Sequence, residues 1–326
     1  MMNASEIADQ CVHCGKCTAK CEFLNKYKLD LGDTDGLKNL LYHCFLCDAC
    51  KAECPAGISG RELMLALRRE EVAQNGNVVK EQGYEMLIKE KSDYLFRNYQ
   101  NVTAGSVLFP GCNFPSFYPG TTKKLMKLLK ERADIGTVFD CCGKPIAELG
   151  MEQRESRMRK EMEERFINNG IREVIMLCPN CYDFLKPKLS IKVVTIYEVL
   201  ERMGIGTRIL GETISVFLPC PDREQRYWIK TMQPYLPEHV DIIEGAACCG
   251  LGGCARAKEP ELSKGFTSAI MGKNDQPIYT YCGSCAGKFT RDGCGNVHHM
   301  LADILETGEK PDTAKSLLNR ARSKFW

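Results

Sequence analysis

Cysteine is the residue whose spacing in this chain points most directly to chemistry, because 20 of the 326 residues are cysteines. Residues 11–21 read CVHCGKCTAKC and residues 44–54 read CFLCDACKAEC, which are two copies of C-x2-C-x2-C-x3-C. Later in the chain, the adjacent pairs Cys141-Cys142 and Cys248-Cys249 are each followed by glycine. Disulfide frameworks belong to small secreted domains, and a bridge between neighbouring cysteines strains the backbone. The spacing therefore predicts metal-binding sites.

The two amino-terminal runs resemble the signature of bacterial two-cluster ferredoxins, in which the last cysteine of each run serves the cluster of the other. The resemblance implies two cubane [4Fe-4S] clusters, with the ligands Cys11, Cys14, Cys17 and Cys54 for one and Cys44, Cys47, Cys50 and Cys21 for the other. Glu22 stands where the signature has a proline, which leaves the ligands intact. Zinc sites also use C-x2-C pairs, but a third cysteine at the same spacing in both runs favours the clusters.

Four apolar stretches rich in β-branched residues each end in cysteine. They read SVLFPGC, EVIMLCPNC, ISVFLPC and PIYTYCGSC. Each stretch predicts a buried strand with a cysteine at its carboxyl end. Cys220 lies 108 positions after Cys112, and Cys282 lies 104 positions after Cys178, so the chain contains an internal duplication.

Helical patterns alternate with these strands, for example at residues 121–132 and 195–204. The alternation predicts parallel α/β sheets, in which ligands gather at the carboxyl ends of the strands. Each half of the duplication is therefore expected to bring five thiols together. The first set is Cys112, Cys141, Cys142, Cys178 and Cys181, and the second set is Cys220, Cys248, Cys249, Cys282 and Cys285.

The pattern C…CCG…C-x-x-C, present twice, resembles the CCG domain of the heterodisulfide reductase family, and the whole layout resembles the fused D subunit of that family. It is also similar to the iron-sulfur subunits of lactate utilisation proteins, glycolate oxidase and anaerobic glycerol-3-phosphate dehydrogenase. The resemblance implies a non-cubane [4Fe-4S] cluster on each five-cysteine set and makes the same ten cysteines the catalytic residues of disulfide cleavage. Gly143 and Gly250 are expected to allow the tight turns beside these clusters.

Three functional hypotheses follow from these motifs. In the first, the chain is an oxidoreductase in which electrons enter through the amino-terminal runs and reduce a small disulfide or related acceptor at the CCG sites. In the second, it is a relay that links a flavoprotein dehydrogenase to quinone, ferredoxin or a membrane cytochrome. In the third, one CCG motif holds structural zinc, although five thiolates exceed what tetrahedral zinc uses.

The first two hypotheses need a flavoprotein partner, since no G-x-G-x-x-G fingerprint follows a predicted strand. The resemblance gives the type of partner as an FAD-binding dehydrogenase, an electron-transferring flavoprotein or a protein like the A subunit of heterodisulfide reductase.

The net charge and hydropathy of the sequence limit which other partners and which cellular location are expected. The net charge is +2, from 44 Lys and Arg against 42 Asp and Glu, so nothing marks a nucleic-acid surface. The start MMNASEIADQ lacks the features of a secretory signal, and no apolar run reaches the roughly 18 residues of a membrane helix. A cytoplasmic protein is expected, with peripheral association at the inner face of the membrane as an alternative. Exposed thiolate clusters predict oxygen sensitivity, which is typical of an anaerobic setting.

The expected fold is α+β and α/β, in four segments. Residues 1–60 form a ferredoxin-like domain, and residues 61–104 form a helical connector with a second helix at about 78–99. The first connector helix begins at a capping box, SGRE at residues 59–62. Residues 105–210 and 211–326 form the two CCG domains, the second with a carboxyl-terminal helix.

Other residues near the motifs are weaker candidates. Cys254 and Cys294 lie outside both five-cysteine sets, and Cys254 is either a spare ligand, a redox-active thiol or a packing residue. His298 and His299 are candidate proton donors to a departing thiolate, with simple exposure as the alternative.

Two further candidates are the residues that follow Cys220 and the carboxyl-terminal segment of the chain. Asp222 and Arg223 follow Cys220 and are candidates to line a substrate gap, with a helix amino terminus as the alternative. The final AKSLLNRARSKFW predicts a helix that packs on its own domain, with docking on a partner or a membrane surface as the alternative.

Overall fold

The computed structural model describes residues 3–245, 248–272 and 276–326, and the chain divides into two compact units. The first unit comprises Met1–Ser92, Pro145–Arg157 and Ala247–Ala269. The second unit comprises Asp93–Lys144, Met158–Ala246 and Ile270–Trp326. Each unit is assembled from segments that are far apart in the sequence, and the predicted division into four consecutive segments stays a prediction.

Helices build the amino-terminal part of the first unit. They are α1 (Ala4–Ala8), α2 (Lys16–Lys20), α3 (Glu22–Tyr27), α4 (Thr34–Lys38), α5 (Gly60–Gln74) and α6 (Glu85–Ser92), with 3-10 turns at Lys51–Glu53 and Gly252–Ala257. Ser59 caps α5 as predicted, because its hydroxyl accepts a hydrogen bond from the Glu62 amide at 3.1 Å. Leu63 and Leu67 lie on the buried face of α5, and Leu37 of α4 is also buried. Apolar spacing thus gives both helices one inward face.

Two sheets lie in the second unit. The strands are β1 (Asn98–Asn101), β2 (Gly105–Phe109), β3 (Gly136–Phe139), β4 (Ile171–Met176), β5 (Lys192–Thr195), β6 (Thr213–Val216), β7 (His239–Ile242), β8 (Ile278–Thr280) and β9 (Val297–His299). The first sheet has the order β1-β3-β2-β4-β5 and the second has the order β7-β6-β8-β9. Every pairing is parallel except that of β1 with β3. The predicted α+β and α/β fold with parallel sheets is confirmed.

The remaining helices alternate with these strands. They are α7 (Phe114–Phe117), α8 (Pro119–Ala133), α9 (Lys144–Glu148), α10 (Glu152–Asn168), α11 (Pro179–Leu185), α12 (Ile196–Arg202), α13 (Tyr227–Thr231), α14 (Pro260–Met271), α15 (Gly283–Arg291), α16 (Met300–Ile304) and α17 (Ser316–Arg322). Further 3-10 turns occupy Cys220–Asp222, Gln233–Tyr235 and Ser323–Phe325. The predicted helices at 121–132 and 195–204 correspond to α8 and α12.

The duplication is visible in the topology. The order β3-β2-β4-β5 of the first sheet matches the order β7-β6-β8-β9 of the second, strand for strand in chain order. The central strands are buried on both sides: Val107, Val174 and Ile175 have no exposed surface. Such continuous apolar strands are typical of parallel sheets covered by helices. Both halves therefore place the carboxyl ends of their parallel strands at one edge.

The expected helix at about 78–99 is only partly present. It spans Glu85–Ser92, and the chain then becomes β1. Asn98 explains the change, because its side chain accepts from the Gln100 amide at 2.8 Å and donates to the carbonyl groups of Ser323 and Trp326. These long-range bonds favour extended backbone over helix.

The carboxyl terminus packs within the second unit, and it contacts residues of the predicted domain 105–210. Trp326 lies edge-on to Phe139 with ring centroids 5.9 Å apart, and the Asn319 side chain is buried and donates to the Ser116 carbonyl. Leu317 and Phe325 remain 65% and 80% exposed. Within the residues that the structure describes, no helix combines the length and apolar character needed to cross a bilayer.

Candidate metal centres

The two amino-terminal cysteine runs adopt matching turns. His13 and Leu46 stand two residues after the first cysteine of their runs, and their φ angles are 50° and 52°. Gly15 and Asp48, two residues further on, have φ angles of 71° and 60°. The amides of His13 and Leu46 donate to the sulfur of that first cysteine, each at 3.4 Å. A left-handed conformation at the three non-glycine positions His13, Leu46 and Asp48 is costly, so this turn serves a purpose beyond reversing the chain.

Asp48 is held in its left-handed conformation by the start of α5. Its carboxylate accepts from the Ser59 hydroxyl at 2.9 Å and from the Arg61 amide at 3.1 Å. The capping residue of α5 thus also fixes the second cysteine run. Hydrogen bonds to a carboxylate contribute more than neutral ones, which offsets the backbone strain.

Cys11, Cys14, Cys17 and Cys54 line one cavity together with Leu31 and Ile58. These are the four cysteines predicted to hold the first cluster. Asp30 also lines the cavity and lies 2.9 Å from His13 Nδ1, while its other oxygen accepts from the Gly32 amide at 2.8 Å. Donor atoms of Cys11, His13 and Asp30 all lie within 4.8 Å of one another, so this end of the cavity also offers nitrogen and oxygen ligands.

Cys21, Cys44, Cys47 and Cys50 are electrostatic neighbours. Burial raises the pKa of Cys50 well above its ordinary value, and the thiolates of Cys44, Cys21 and Cys47 raise it further. Burial likewise raises the pKa of Cys44 to about 12 and that of Cys21 to about 11. Four closely spaced thiols ionise together only beside a positive charge, which a bound metal supplies.

A glycine makes room beside this second set. A Cβ atom at Gly60, the first residue of α5, would lie 2.4 Å from the Cys50 sulfur. The backbone there approaches the thiol more closely than any side chain would allow. The residues of both amino-terminal sets therefore fit a sulfur-ligated group.

In the second unit, the first CCG cysteines all follow strand ends. Cys112 comes three residues after β2, the pair Cys141-Cys142 follows β3, and Cys178 caps the amino terminus of α11 after β4. Gly143 turns the chain after the pair with a φ angle of 83°.

The thiols of this set form a chain of contacts. Hydrogen bonds from Cys141 and from Cys181 lower the pKa of Cys142 to about 5, although burial opposes them. The charge of Cys112 also acts on Cys142, and Cys181 donates to Cys178. All five thiols of the first set therefore lie together in one unit. A cluster of this density with one stabilised thiolate fits a multi-iron site better than a single tetrahedral ion.

The second CCG set is divided between the two units. Cys220 begins a 3-10 turn after β6, and Cys282 caps α15 after β8, with Cys285 in the first turn of that helix. These three belong to the second unit, whereas Cys248 and Cys249 belong to the first. Assembly of this set of five stays a prediction.

The Cys248-Cys249 loop packs on the second amino-terminal run within the first unit. Cys248 shares a buried cluster with Phe45 and Ala255, and its sulfur accepts from the Gly250 amide at 3.2 Å. A Cβ atom at Gly252 would lie 2.4 Å from the Phe45 carbonyl oxygen. The glycine-rich stretch after the pair thus permits close backbone contact with the run.

The thiol network of the second unit extends from the first CCG set to Cys282. Hydrogen bonds from Cys178 and from Cys285 lower the pKa of Cys282 well below its ordinary value. The Asn180 amide group also donates to the Cys282 sulfur at 3.7 Å. The duplicated halves therefore meet at their C-x-x-C motifs.

The predicted histidines lie in different surroundings. His299 is fully buried against Phe114 and Tyr118, with ring centroids 4.8 Å and 5.1 Å away, and burial lowers its pKa to about 4. His298 is partly exposed and lies 2.9 Å from an Asp303 carboxylate oxygen. A neutral, buried His299 is a poor proton donor, so its role as an acid near neutral pH is disfavoured.

Asp222 is buried and faces inward. Its carboxylate accepts from the Tyr281 hydroxyl at 2.6 Å and from the Trp228 amide at 3.1 Å. The carboxylate thus lies at the amino terminus of α13, and burial raises its pKa. Cys254 is partly exposed with a φ angle of 57°, its carbonyl accepts from Tyr84 at 3.0 Å, and Cys294 is buried.

Sequence reasoning missed three residues that organise these sites: Asp48, Arg68 and Glu259. Glu259 is fully buried and lies 2.6 Å from both Lys26 Nζ and His43 Nδ1, which links α14 to the second run. Only Arg68 leaves a signal in the sequence, since it interrupts an apolar helical stripe four residues after Met64 and four before Val72.

Comparison with known proteins agrees with the motifs. Residues 106–186 and 236–290 match the family model CCG, described as Cysteine-rich domain. The first match contains the whole first set, and the second contains all of its set except Cys220. The chain thus carries two CCG cysteine-rich domains.

Three relatives cover most of the chain. An uncharacterized iron-sulfur protein of Methanocaldococcus jannaschii is 23% identical over 84% of this chain and 66% of its own length. The B subunit of the CoM/CoB fumarate reductase of Methanothermobacter marburgensis is 23% identical over 93% of this chain and 72% of its own. The D subunit of the dihydromethanophenazine:CoB–CoM heterodisulfide reductase of Methanosarcina mazei is 22% identical over 91% of this chain and 92% of its own length. The similarity predicted from the cysteine patterns is confirmed.

Proposed function

From these two CCG domains and their iron-sulfur relatives, we propose that the chain is an iron-sulfur oxidoreductase subunit that reduces a disulfide or a related acceptor. The ten cysteines of the two CCG sets form the catalytic centre, and the eight cysteines of the amino-terminal runs bind two cubane [4Fe-4S] clusters. Two further [4Fe-4S] clusters of non-cubane type occupy the CCG sets. When bound, such clusters supply one-electron transfers, two of which a disulfide needs.

The observation that carries the proposal is the convergence of five thiols in the second unit. Within this set Cys142 accepts hydrogen bonds from Cys141 and Cys181, and these lower its pKa. A relay alone needs one ligand for each iron of a cubane, whereas this set has one thiol in excess. The excess thiol supports chemistry at the site and not only transfer through it.

The chain's own residues prepare these sites in two ways. Amide groups of His13 and Leu46 donate to sulfur in the amino-terminal runs, and such hydrogen bonds raise a cluster's reduction potential. In the second unit, Asn180 donates to Cys282 and the Asn113 amide group donates to Ser284 at 2.7 Å, so polar side chains lie between the duplicated halves. These groups are placed to hold a polar substrate between the two C-x-x-C motifs.

A relay is the second candidate, and the contact between Cys248 and Phe45 favours it. That contact brings the second CCG pair beside the second amino-terminal run, which suits electron transfer without substrate chemistry. In both cases we propose a flavoprotein partner, because two relatives carry subunit names from multi-protein reductases. A cytoplasmic location, with peripheral membrane association as the alternative, belongs to the same proposal.

Metal analysis tests the proposal. Anaerobically purified protein is expected to contain about 16 iron atoms per chain, from four [4Fe-4S] clusters, and little zinc. Cys142→Ser is expected to remove about four of them, and Cys14→Ser serves as the matched variant in an amino-terminal run. About eight iron atoms together with zinc, unchanged in Cys142→Ser, would mean that the CCG sites are structural zinc sites.

A further inference from the structure

Arg68 is a buried cation in the middle of α5, and none of its surface is exposed. It lies on the helix face that carries the buried residues Met64 and Val72. Burial of a charge in apolar surroundings costs several kcal/mol unless the charge is compensated. A residue of this kind needs a specific explanation.

The Arg68 side chain donates only to backbone carbonyl groups. Its Nε donates to Leu41 at 2.8 Å, its Nη2 to Cys44 at 3.1 Å, and its Nη1 to Glu148 at 2.6 Å and Gly253 at 3.0 Å. The guanidinium carbon lies 4.9 Å from the centre of the Tyr42 ring. Within the described residues its partners carry no formal charge. Its donors are therefore satisfied, while its charge is not neutralised by a carboxylate.

The four carbonyl groups belong to three separate segments. Leu41 and Cys44 precede and begin the second cysteine run, Glu148 ends α9, and Gly253 lies in the CCGLGGC loop of residues 248–254. The loop and the run also touch directly, since a Cβ atom at Gly253 would lie 2.3 Å from the Cys44 carbonyl oxygen. A single guanidinium thus holds the loop of the second CCG pair against the run that begins at Cys44.

The charge lies beside the same thiols. The Nη2 of Arg68 is 3.1 Å from the carbonyl oxygen of Cys44, the first cysteine of the run. A cluster ligated by four thiolates carries net negative charge, and each added electron makes it more negative. A buried cation beside it interacts strongly, because little water screens the pair.

We propose that Arg68 is a positioning residue that raises the reduction potential of the centre on the second cysteine run and fastens the CCGLGGC loop to it. The proposal rests on the proposed function, since that centre is the cluster expected on Cys44, Cys47, Cys50 and Cys21. The negative centre compensates the cation, whose hydrogen-bond partners among the described residues are carbonyl groups and not carboxylates. The arrangement favours electrons on the centre that lies beside the second CCG pair.

The test compares Arg68→Gln with Arg69→Gln in the full chain, purified anaerobically. Both variants remove one positive charge from α5, but Arg69 is partly exposed. The midpoint potentials of the reducible centres are measured by redox titration followed by EPR. Arg68→Gln is expected to lower one midpoint by about 59 mV, a tenfold change in the one-electron equilibrium, and Arg69→Gln is expected to leave all midpoints in place. Equal midpoints in both variants and the wild type would overturn the electrostatic role.

A second variant separates charge from hydrogen bonding. Arg68→Lys keeps the charge but cannot reach four carbonyl groups with one ammonium group. Its midpoint is expected to stay close to that of the wild type, while the amides of residues 252–257 exchange with solvent at least tenfold faster. Exchange at the wild-type rate would overturn the fastening role, and a midpoint shift as large as that of Arg68→Gln would overturn the role of charge.

If Arg68→Gln does not fold, the other measurements still test the proposal. Arg68→Lys and the wild type then decide the fastening role by hydrogen exchange, which needs no cluster. If the wild type itself lacks iron, the proposed function fails. If the wild type holds iron and the variants behave like it, only the role of Arg68 fails.

Discussion

Cys142 and Cys181 share a hydrogen bond, and their pKa values move in opposite directions because of it. The Cys142 sulfur accepts from two thiols and its pKa falls, whereas Cys181 is a donor and its pKa rises well above the ordinary value. A buried set of thiols therefore does not ionise uniformly. One sulfur is prepared as a thiolate ligand, and the other thiols lose their protons as metal binds.

Asp48 gives a prediction for the second cysteine run. Asp48→Ala is expected to lower the free energy of unfolding by about 2 kcal/mol, because it removes bonds to a carboxylate and leaves a left-handed alanine. Asp48→Gly loses the same bonds but tolerates the backbone, so it is expected to retain about 1 kcal/mol more. Denaturant unfolding under anaerobic conditions measures both. Equal stability of the two variants and the wild type would contradict the account of this turn.

Glu259 gives a prediction about pH. Burial raises the pKa of this carboxyl group, but hydrogen bonds from Lys26, His43 and Tyr27 outweigh burial and hold it below the ordinary value of 4.5. A lowered pKa means that the folded state binds the proton less readily than the unfolded state. Its contribution to stability is therefore complete above pH 4.5 and is lost as the pH falls through the folded-state pKa.

Glu259→Gln tests this dependence. The variant is expected to be less stable than the wild type by about 1 kcal/mol at pH 7, because the hydrogen bonds that the buried carboxylate accepts from Lys26, His43 and Tyr27 are weakened. The difference should shrink as the pH falls below 4.5, and Glu261→Gln, at an exposed position two residues further on in α14, should show no such trend. A difference that stays constant with pH would rule out the carboxylate as its source.

At the scale of elements, the strands explain why the CCG cysteines could be found from the sequence. The stretches before Cys112 and Cys178 are continuous and apolar, so their burial and the position of the cysteine at the carboxyl end follow from composition. The strands β3 and β7 before the two adjacent pairs are four residues long and were not predicted. Their formation depends on pairing with β2 and β6, which no local pattern encodes.

Longer-range contacts set the limit of the sequence analysis. The expected helix over 78–99 gives way to β1 because Asn98 bonds to residues more than 220 positions away. Arg68 and Glu259 likewise connect segments that are distant in the chain. The spacing of ligands within a run is local and can be recognised in the sequence. The residues that hold the runs in place come from distant segments and cannot be recognised in this way.

The glycines of the CCGLGGC loop give a prediction at this scale. Gly253→Ala is expected to destabilise the protein by at least about 2 kcal/mol, since its φ angle is 64° and its Cβ atom would collide with the Cys44 carbonyl oxygen. Gly265→Ala, in α14 with open space around it, is expected to stabilise by up to about 1 kcal/mol. Chemical denaturation compares the two. Similar effects at both positions would contradict the close packing of the loop.

At the scale of the whole molecule, duplication is found both in the sheets and in the cysteine runs. The two sheets share one strand order, and the two cysteine runs share one turn. Each kind of candidate metal site is therefore built twice from the same arrangement of ligands. The relatives that match most of the chain carry the names of reductase subunits or of an iron-sulfur protein. Reduction of a disulfide by a chain that brings thiols together at sheet edges is consistent with both observations.

The central claim is that an acceptor reacts at a CCG site, and EPR of the oxidised, anaerobic protein titrated with small thiols tests it most directly. The account predicts a paramagnetic signal that appears only with thiol and is absent in Cys142→Ser or Cys249→Ser, while the signals of the reduced amino-terminal centres persist in both variants. Signals that are indifferent to thiols in the wild type would contradict a catalytic role and leave the chain an electron relay.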